Sequence, residues 1–277
     1  MTGHGWFAGV DAADPSAAGD AVREGSADAP ADWPREAVDA GVAPDEAAYY
    51  ELLREATLAG TRAAVRERER ADDQQLIHAV RAMSDLAETA NELAERGTEW
   101  AGSVFDDVRG GVDGARDVAT RDPATPSEER AVSLCRRAAD LADERDDIAD
   151  YVERQGPAVA PNLSALAGPV LAARLIALAG GLGALAKKPS GTLQVLGAED
   201  ALFAHLRGHA PSPKHGVIYT HEYVRGTHPE HRGSAARALA GKLTIAARVD
   251  HYSGERRPEL DEELDERIER IRARDTE

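Results

Sequence analysis

Residues 72–100 read DDQQLIHAVRAMSDLAETANELAERGTEW. Within them Leu76, Val80, Met83, Ala87, Ala90 and Ala94 recur at alternating steps of four and three, and Leu86 and Leu93 broaden the stripe. A strand would alternate every second residue; this period belongs to the seam of a coiled coil. The chain therefore carries a long helical arm, and its fold class is mainly all-α. Much of the seam is alanine, which buries little surface when only two helices meet. The pattern predicts an antiparallel arm that pairs two copies of the chain, with an ordinary helical hairpin as the alternative.

Downstream, Gly102, Gly110, Gly111, Gly114 and Asp122-Pro123 break the helix over residues 102–124. Thr125-Pro126-Ser127-Glu128 restarts it: the threonine can cap, the proline suits the first helical position, and the glutamate completes a capping box. The stripe that follows is Leu134, Ala138, Leu141, Ile148 and Val152, with Arg145 in the seam. Residues 163–186 are then apolar except for Ser164 and Arg174. They have the length of a membrane span. Arg174, Pro169 and Gly180-Gly181-Leu182-Gly183 divide them instead into two packed core helices, the first capped by Pro161-Asn162. No membrane association is expected.

Beyond Lys187-Lys188 the pattern predicts a turn at Pro189-Ser190-Gly191, an extended piece over 192–196 and a helix from about Gly197. A Pro/His-rich loop, a short strand or turn over 216–219 and a helix over about 234–250 follow. Residues 258–277 read as a charged, solvated helix. At the other end, residues 1–44 offer few apolar anchors (Trp6, Phe7, Val10, Val22, Trp33, Val38), enough for a small, reduced α/β segment or a partly ordered arm. Pro44-Asp45 opens the helical tract that leads into the arm.

Composition limits function. The 277 residues hold 50 Asp+Glu against 33 Lys+Arg, a net of −17, with a single cysteine. One thiol, Cys135, excludes a disulfide framework and a cysteine-built metal centre, and on its helix it reads as packed. The N-terminal MTGHGWFAGV has neither the basic nor the apolar part of a signal peptide, so a cytoplasmic location is expected. An acid-rich, lysine-poor chain suits a cytoplasm at molar salt, where like charges are screened within roughly 3 Å.

The charge is uneven. Residues 157–257 hold 12 Lys+Arg against 6 Asp+Glu, a net of +6, with all four lysines and seven of the nine histidines; the remainder holds 21 against 44, a net of −23. A basic module on an acidic protein points to a polyanion docking on that module alone. On the helix over 234–250, Arg237, Gly241, Thr244 and Arg248 share one face at steps of 4, 3 and 4, and the glycine would let a phosphate backbone approach closely. Leu239, Leu243 and Ala246 form the opposite, packed face. Pro213-Lys214-His215 and Arg225-Gly226 to Arg232-Gly233 add donors, while Tyr219, His221 and Tyr223 are candidates to stack on an unpaired base. No nucleophile elbow, Walker loop or dinucleotide fingerprint occurs. His205 and His209 stand at i,i+4, the spacing of a metal chelate, without a third ligand nearby in sequence.

Three blocks carry a resemblance: APNLSALAG over 160–168, AKKPSGTLQVLGAE over 186–199 and RALAGKLTIAARVD over 237–250. They resemble the Nop domain, the module shared by archaeal and nucleolar Nop proteins and by a Prp splicing factor. Residues 73–101, with Leu86-Ala87 and Glu99-Trp100-Ala101-Gly102, resemble the helical segment that precedes it there. The likeness covers roughly residues 70–254.

The resemblance implies an archaeal scaffold of box C/D small ribonucleoproteins, which guide 2′-O-methylation and processing of ribosomal RNA. Its partners would be a kink-turn guide RNA, the ribosomal-protein-like subunit bound to that RNA, the fibrillarin methyltransferase, and a second copy through the coiled coil. Methyl donor and catalysis would belong to fibrillarin, leaving this chain no catalytic residue, metal or cofactor. RNA contact is expected from Lys187, Lys188, Gln194, Lys214, His215, Arg232, Arg237, Lys242 and Arg248. Gly197, Ala198 and Glu199 would shape the loop facing the protein partner; Asp200 stands where relatives commonly carry lysine and is not counted as a phosphate ligand. Fibrillarin docking is expected around Trp6, Phe7 and Trp33. The division is then 1–70, a reduced N-terminal domain with a connecting helix; 71–156, the coiled-coil arm; 157–254, the Nop domain; and 255–277, a charged tail. Two other readings are a coiled-coil adaptor whose basic module binds an acidic protein, and a metal hydrolase using the histidine-rich loops.

Overall fold

The computed structural model describes residues 5–9, 11, 14–27 and 29–275, and among them there is no strand. The chain divides into two compact units, Met1–Ala71 and Asp72–Glu277.

The first unit holds α1 (Pro15–Glu24), α2 (Trp33–Asp39) and α3 (Glu46–Glu69). The Asp14 carboxylate caps α1 by accepting the Ser16 amide at 2.9 Å, and Asp45 caps α3 by accepting that of Ala48 at 2.8 Å. α1 crosses α3 at Gly19 and Gly60, where a Cβ on either residue would lie 2.6 Å from the other's backbone. Phe7, Ala37, Ala43 and Tyr49 form a small core, with Trp6 and Trp33 packed on it. The expected α/β character is absent from the described residues. Alanine, glutamate and arginine favour helix, and the segment has too few β-branched residues to build a sheet. Val10 lies outside the described residues.

The second unit begins with an antiparallel hairpin of α4 (Asp72–Gly102) and α6 (Pro126–Val159). The capping box is present: Thr125 Oγ1 accepts the Glu128 amide at 3.3 Å, and Glu128 Oε2 accepts that of Thr125 at 3.3 Å. The glycine-rich interval is not all loop, for α5 (Gly111–Ala119) fills it and packs on both long helices. Ala94, Ala101, Ala115, Val118, Ala131, Val132, Cys135 and Ala138 form their joint core. The seam expected to await a second copy is thus covered within the chain. Its small residues are used for close approach; a Cβ on Gly97 would stand 2.8 Å from the Cys135 sulfur. On α6 the buried face runs through Ala131, Cys135, Ala138, Ala142 and Val152; of the expected stripe Ala138 and Val152 are fully buried, while Leu134, Leu141 and Ile148 lie at its edge, half-buried.

A helical bundle follows: α7 (Pro161–Ala167), α8 (Pro169–Ala179), α9 (Leu182–Ala186), α10 (Ser190–Gln194), α11 (Glu199–Leu206), a 3₁₀ turn over Val217–Thr220, α12 (Glu222–Arg225), α13 (Arg232–Tyr252) and α14 (Glu259–Arg272). α7 and α8 meet at 116°. Gly168, at a φ of 78°, makes that corner, and no single described helix is long and apolar enough to cross a membrane. The piece expected to be extended over 192–196 is mostly the helical turn α10. The tail is not solvated either. Leu260, Leu264, Ile268 and Ile271 of α14 are buried in the same core as Leu175, Leu239 and Leu243.

One buried polar knot joins the ends of this bundle. Asp250, near the C-terminus of α13, accepts the backbone amides of Asn162 at 3.0 Å and Leu163 at 2.8 Å, and the Asn162 side-chain amide at 2.7 Å. Asn162 also donates to the Glu255 carbonyl at 2.7 Å, and its Oδ1 accepts the Arg257 amide at 2.6 Å. Asn162 is therefore not the N-cap of α7. The capping oxygen comes from 88 residues away in sequence. Asp73 does the same for α9, accepting the Leu182 amide at 2.9 Å.

Replacing Asp250 by Ala strands three buried donors, so the expected loss is about 3–5 kcal/mol. Urea unfolding of Asp250→Ala checks it, and an unchanged midpoint would contradict the role given to this carboxylate. Asp250→Asn keeps the shape but turns an N–H toward one of those donors, and an intermediate loss is expected.

Candidate nucleic-acid interface

α13 is buried along Ala235, Leu239, Leu243 and Ala246, so it turns Arg237, Gly241, Ile245, Arg248 and Tyr252 outward. Thr244, expected on that ridge, is 4% exposed and bonds back to the Ala240 carbonyl at 2.8 Å. Ile245, 41% exposed, takes its place. A Cβ on Gly241 would meet nothing within 4 Å, so this glycine is not needed for packing. From Arg232 to Arg248 the helix spans about 24 Å at 1.5 Å per residue.

The expected contact residues fall into three groups along it. In the first, the Gln194 side-chain amide donates to the Lys214 carbonyl at 2.7 Å, and Lys214 lies beside Gly233. His215 stacks on Tyr219 at 4.6 Å, and the Arg232 guanidinium lies 5.6 Å from the same ring. Arg232 also donates to the Thr227 carbonyl at 3.0 Å, which fixes its direction. In the second, Arg248 Nε donates to the Ala186 carbonyl at 3.1 Å, so its guanidinium sits beside exposed Lys187. Lys188 is half-buried. In the third, Arg237 and Lys242 line a groove of about 460 Å³ between α13 and α14. Arg267, Arg270 and Arg274 line its far side, and Ala238, Ile245 and Ile271 its floor. Those three arginines were missed in the sequence, although their steps of 3 and 4 put them on one helical face.

Burial, with the Arg232 and Lys214 charges, lowers the His215 imidazole pKa from its ordinary value, which favours the neutral form of the ring stacked on Tyr219. His221 and Tyr223 do not form a platform for bases. His221 Nδ1 accepts the Tyr223 amide at 3.1 Å and caps α12, and burial lowers its pKa. The Tyr223 hydroxyl bonds Asp265 of α14, chiefly for which its pKa is pushed up to about 12.

The 197–199 loop is preorganised. Gly197 sits at a φ of +82°, and its amide donates to Glu199 Oε1 at 2.9 Å. Ala198 precedes α11, from which Phe203 and Leu206 stand 55% and 70% exposed. The loop borders a groove of about 860 Å³ lined by Val80, Arg81, Leu178, Val217 and Tyr219. His205 is committed to the Ala210 carbonyl at 3.0 Å, and no cluster of three metal-ligating side chains occurs among the described residues. Phe7 is buried in the core of the first unit, while Trp6 and Trp33 are half-buried against it and line a shallow groove with Val22 and Gly25.

A family model described as Nop, snoRNA binding domain, fibrillarin, matches residues 118–273. Among similar proteins, an uncharacterized NOP5 family protein of Methanocaldococcus jannaschii is 52% identical over 132 residues, 48% of this chain and 32% of that protein. Nucleolar protein 56 of Saccharomyces cerevisiae is 40% identical over 144 residues, 52% of this chain and 29% of its own length. Human nucleolar protein 58 is 40% identical over 119 residues, 43% of this chain and 22% of its own. The matches thus span a third or less of these relatives. A crystal structure of a fibrillarin/Nop5p complex contains a chain similar over 92% of both, at 25% identity and a TM-score of 0.54.

The lowered imidazoles have a stability consequence. The folded state binds fewer protons, so their contribution is complete above about pH 6.5 and is lost as pH falls through the depressed folded values. The thermal midpoint at pH 5 is expected to lie below that at pH 7, with a shallower dependence in His221→Gln. Identical pH profiles for the two proteins would contradict it.

Proposed function

The chain belongs to the Nop family, and from that premise we propose that it is a non-catalytic scaffold of an archaeal box C/D small ribonucleoprotein. In this reading the second unit grips a kink-turn guide RNA together with the ribosomal-protein-like subunit already bound to it. Fibrillarin, held through the first unit, performs guided 2′-O-methylation of ribosomal RNA in the cytoplasm. The methyl donor and the catalytic groups are fibrillarin's.

The observation that carries the reading is the ridge of α13. Arg237 and Arg248 flank Gly241, whose missing side chain leaves open space at the middle of a cationic helix. A glycine in a helix interior costs up to about 1 kcal/mol relative to alanine. Packing does not require this one, and close approach of a phosphate backbone does account for it. The family match and the likeness to a chain of the fibrillarin/Nop5p complex support an RNA-binding scaffold role. The Gly197–Glu199 loop and the adjoining groove are the place assigned to the protein partner. Half-buried Leu134, Leu141 and Ile148 are the residues left on the arm for a second copy. For fibrillarin the first unit offers the groove at half-buried Trp6 and Trp33, and Tyr50, Leu58 and Val65 exposed on one face of α3, with Phe7 buried beneath.

The salt-adapted composition bears on mechanism. Each phosphate contact weakens log affinity by about 0.7 to 0.9 per decade of salt. At molar salt, binding then rests on shape, stacking and the direct protein contact. Affinity of the ternary assembly is expected to survive from moderate to molar salt, and its collapse in a titration would contradict that.

A gel shift with kink-turn RNA, with and without the ribosomal-protein-like subunit, tests the function. A supershift that depends on the subunit is expected; none, or one indifferent to the subunit, would sink the proposal. Gly241→Ala and Gly241→Leu sharpen it. Both should fold at least as stably as the parent, while the leucine variant loses tenfold or more in affinity. Unchanged binding by Gly241→Leu would remove the ridge from the interface.

A further inference from the structure

α14 divides by charge. Its first two turns carry Glu259, Asp261, Glu262, Glu263, Asp265 and Glu266, and its end carries Arg267, Arg270 and Arg272 with one acid, Glu269, among them and Arg274 in the turn beyond. The helix dipole accounts for basic groups near a C-terminus, whichever way they point. It does not account for their sorting. Arg272 turns inward and bonds the Glu222 carbonyl at 3.1 Å, with its guanidinium 5.7 Å from the Tyr223 ring. Arg267, Arg270 and Arg274 share the opposite edge and face Arg237 across the groove.

The cations of the groove differ in how far they are already used. Lys242 is paired with Glu263, which ties α13 to α14. Arg270 donates to the carbonyl of Glu266, one turn earlier, at 3.2 Å. Arg237, Arg267 and Arg274 have no acidic partner among the described residues, in a chain with 50 carboxylates to choose from. The floor beneath them is apolar, with Ile245 41% exposed. Cationic walls above an apolar floor suit a ligand with alternating phosphates and flat hydrophobic faces, and a volume near 460 Å³ is within the range of small-ligand sites. An acidic peptide would use the walls and leave the floor bare. Duplex RNA presents a convex backbone and no free base to lay on isoleucine.

From this we infer that the α13/α14 groove binds single-stranded RNA, with phosphates on Arg237, Arg267 and Arg274 and a base on Ile245 and Ile271. The inference rests on the RNA-binding reading above and extends it. The strand that leaves the ridge of α13 at Arg237 continues into the groove, and the terminal helix becomes part of the RNA surface.

The test uses the full chain with the ribosomal-protein-like subunit and a kink-turn RNA bearing a single-stranded extension. Arg267→Ala with Arg274→Ala is compared with Arg130→Ala with Arg137→Ala. The latter removes the same charge from the arm, at residues paired with Glu129 and Asp140. The groove variant is expected to bind several-fold more weakly, with a log–log salt slope shallower by about 1.4, from two single-strand contacts at about 0.7 each. On RNA trimmed of its extension, the groove variant and parent should bind equally, and the arm variant should match the parent on both RNAs. Equal losses in both variants, or no loss in the groove variant, would overturn the inference and leave the ridge reading intact. Failure of the parent to bind either RNA would overturn both.

Discussion

The carboxylate of Asp250 is the constraint from which the second unit takes its form. It caps α7 from the far end of α13, and Asn162 extends the same knot to the backbone at Glu255 and Arg257, where the chain turns toward α14. A buried carboxylate persists only when its oxygens are fully used, and here three donors use them. The knot fixes the rotation of α13 about its axis. That rotation decides which residues the helix buries and which it shows.

Function follows from the rotation. With Leu239 and Leu243 inward, Arg237, Gly241 and Arg248 have to face out, and the Arg248 bond to the Ala186 carbonyl brings Lys187 to the same edge. α14 closes the other side, seated by Leu260, Leu264, Ile268 and Ile271 and tied by Lys242 to Glu263. The cationic surface therefore needs no acidic neighbours to hold its guanidinium groups. Backbone carbonyls hold Arg232 and Arg248, with the Tyr219 ring beside Arg232, which leaves their charge available.

Local signals in the sequence were legible where a few neighbouring residues settle the structure. Thr125 to Glu128 is such a case, since the capping box needs nothing beyond four residues. The period of 72–100 was equally plain, but a period does not say which helix covers it. α5 was hidden by its glycines. Gly111 starts it at a φ of 75°, and Gly114 packs so close to the Arg109 carbonyl that a Cβ would lie 1.8 Å away. In the tail, Leu260, Leu264, Ile268 and Ile271 carry a readable helical stripe that the density of charge obscured. The same oversight concealed Arg267, Arg270 and Arg274. The Asn162–Asp250 knot could not be read locally at all, because its halves are 88 residues apart. Thr244 was misplaced by the irregular run of exposed positions, whose steps are 4, 4, 3 and 4 from Arg237 to Tyr252.

The most direct measurement reverses the ridge and leaves the knot alone. Arg237→Glu with Arg248→Glu should unfold in urea close to the parent and yet fail to join the kink-turn RNA and its bound subunit in a single particle on size-exclusion chromatography. A doubly reversed protein that still assembles normally would show that this face of α13 is not where the RNA is held.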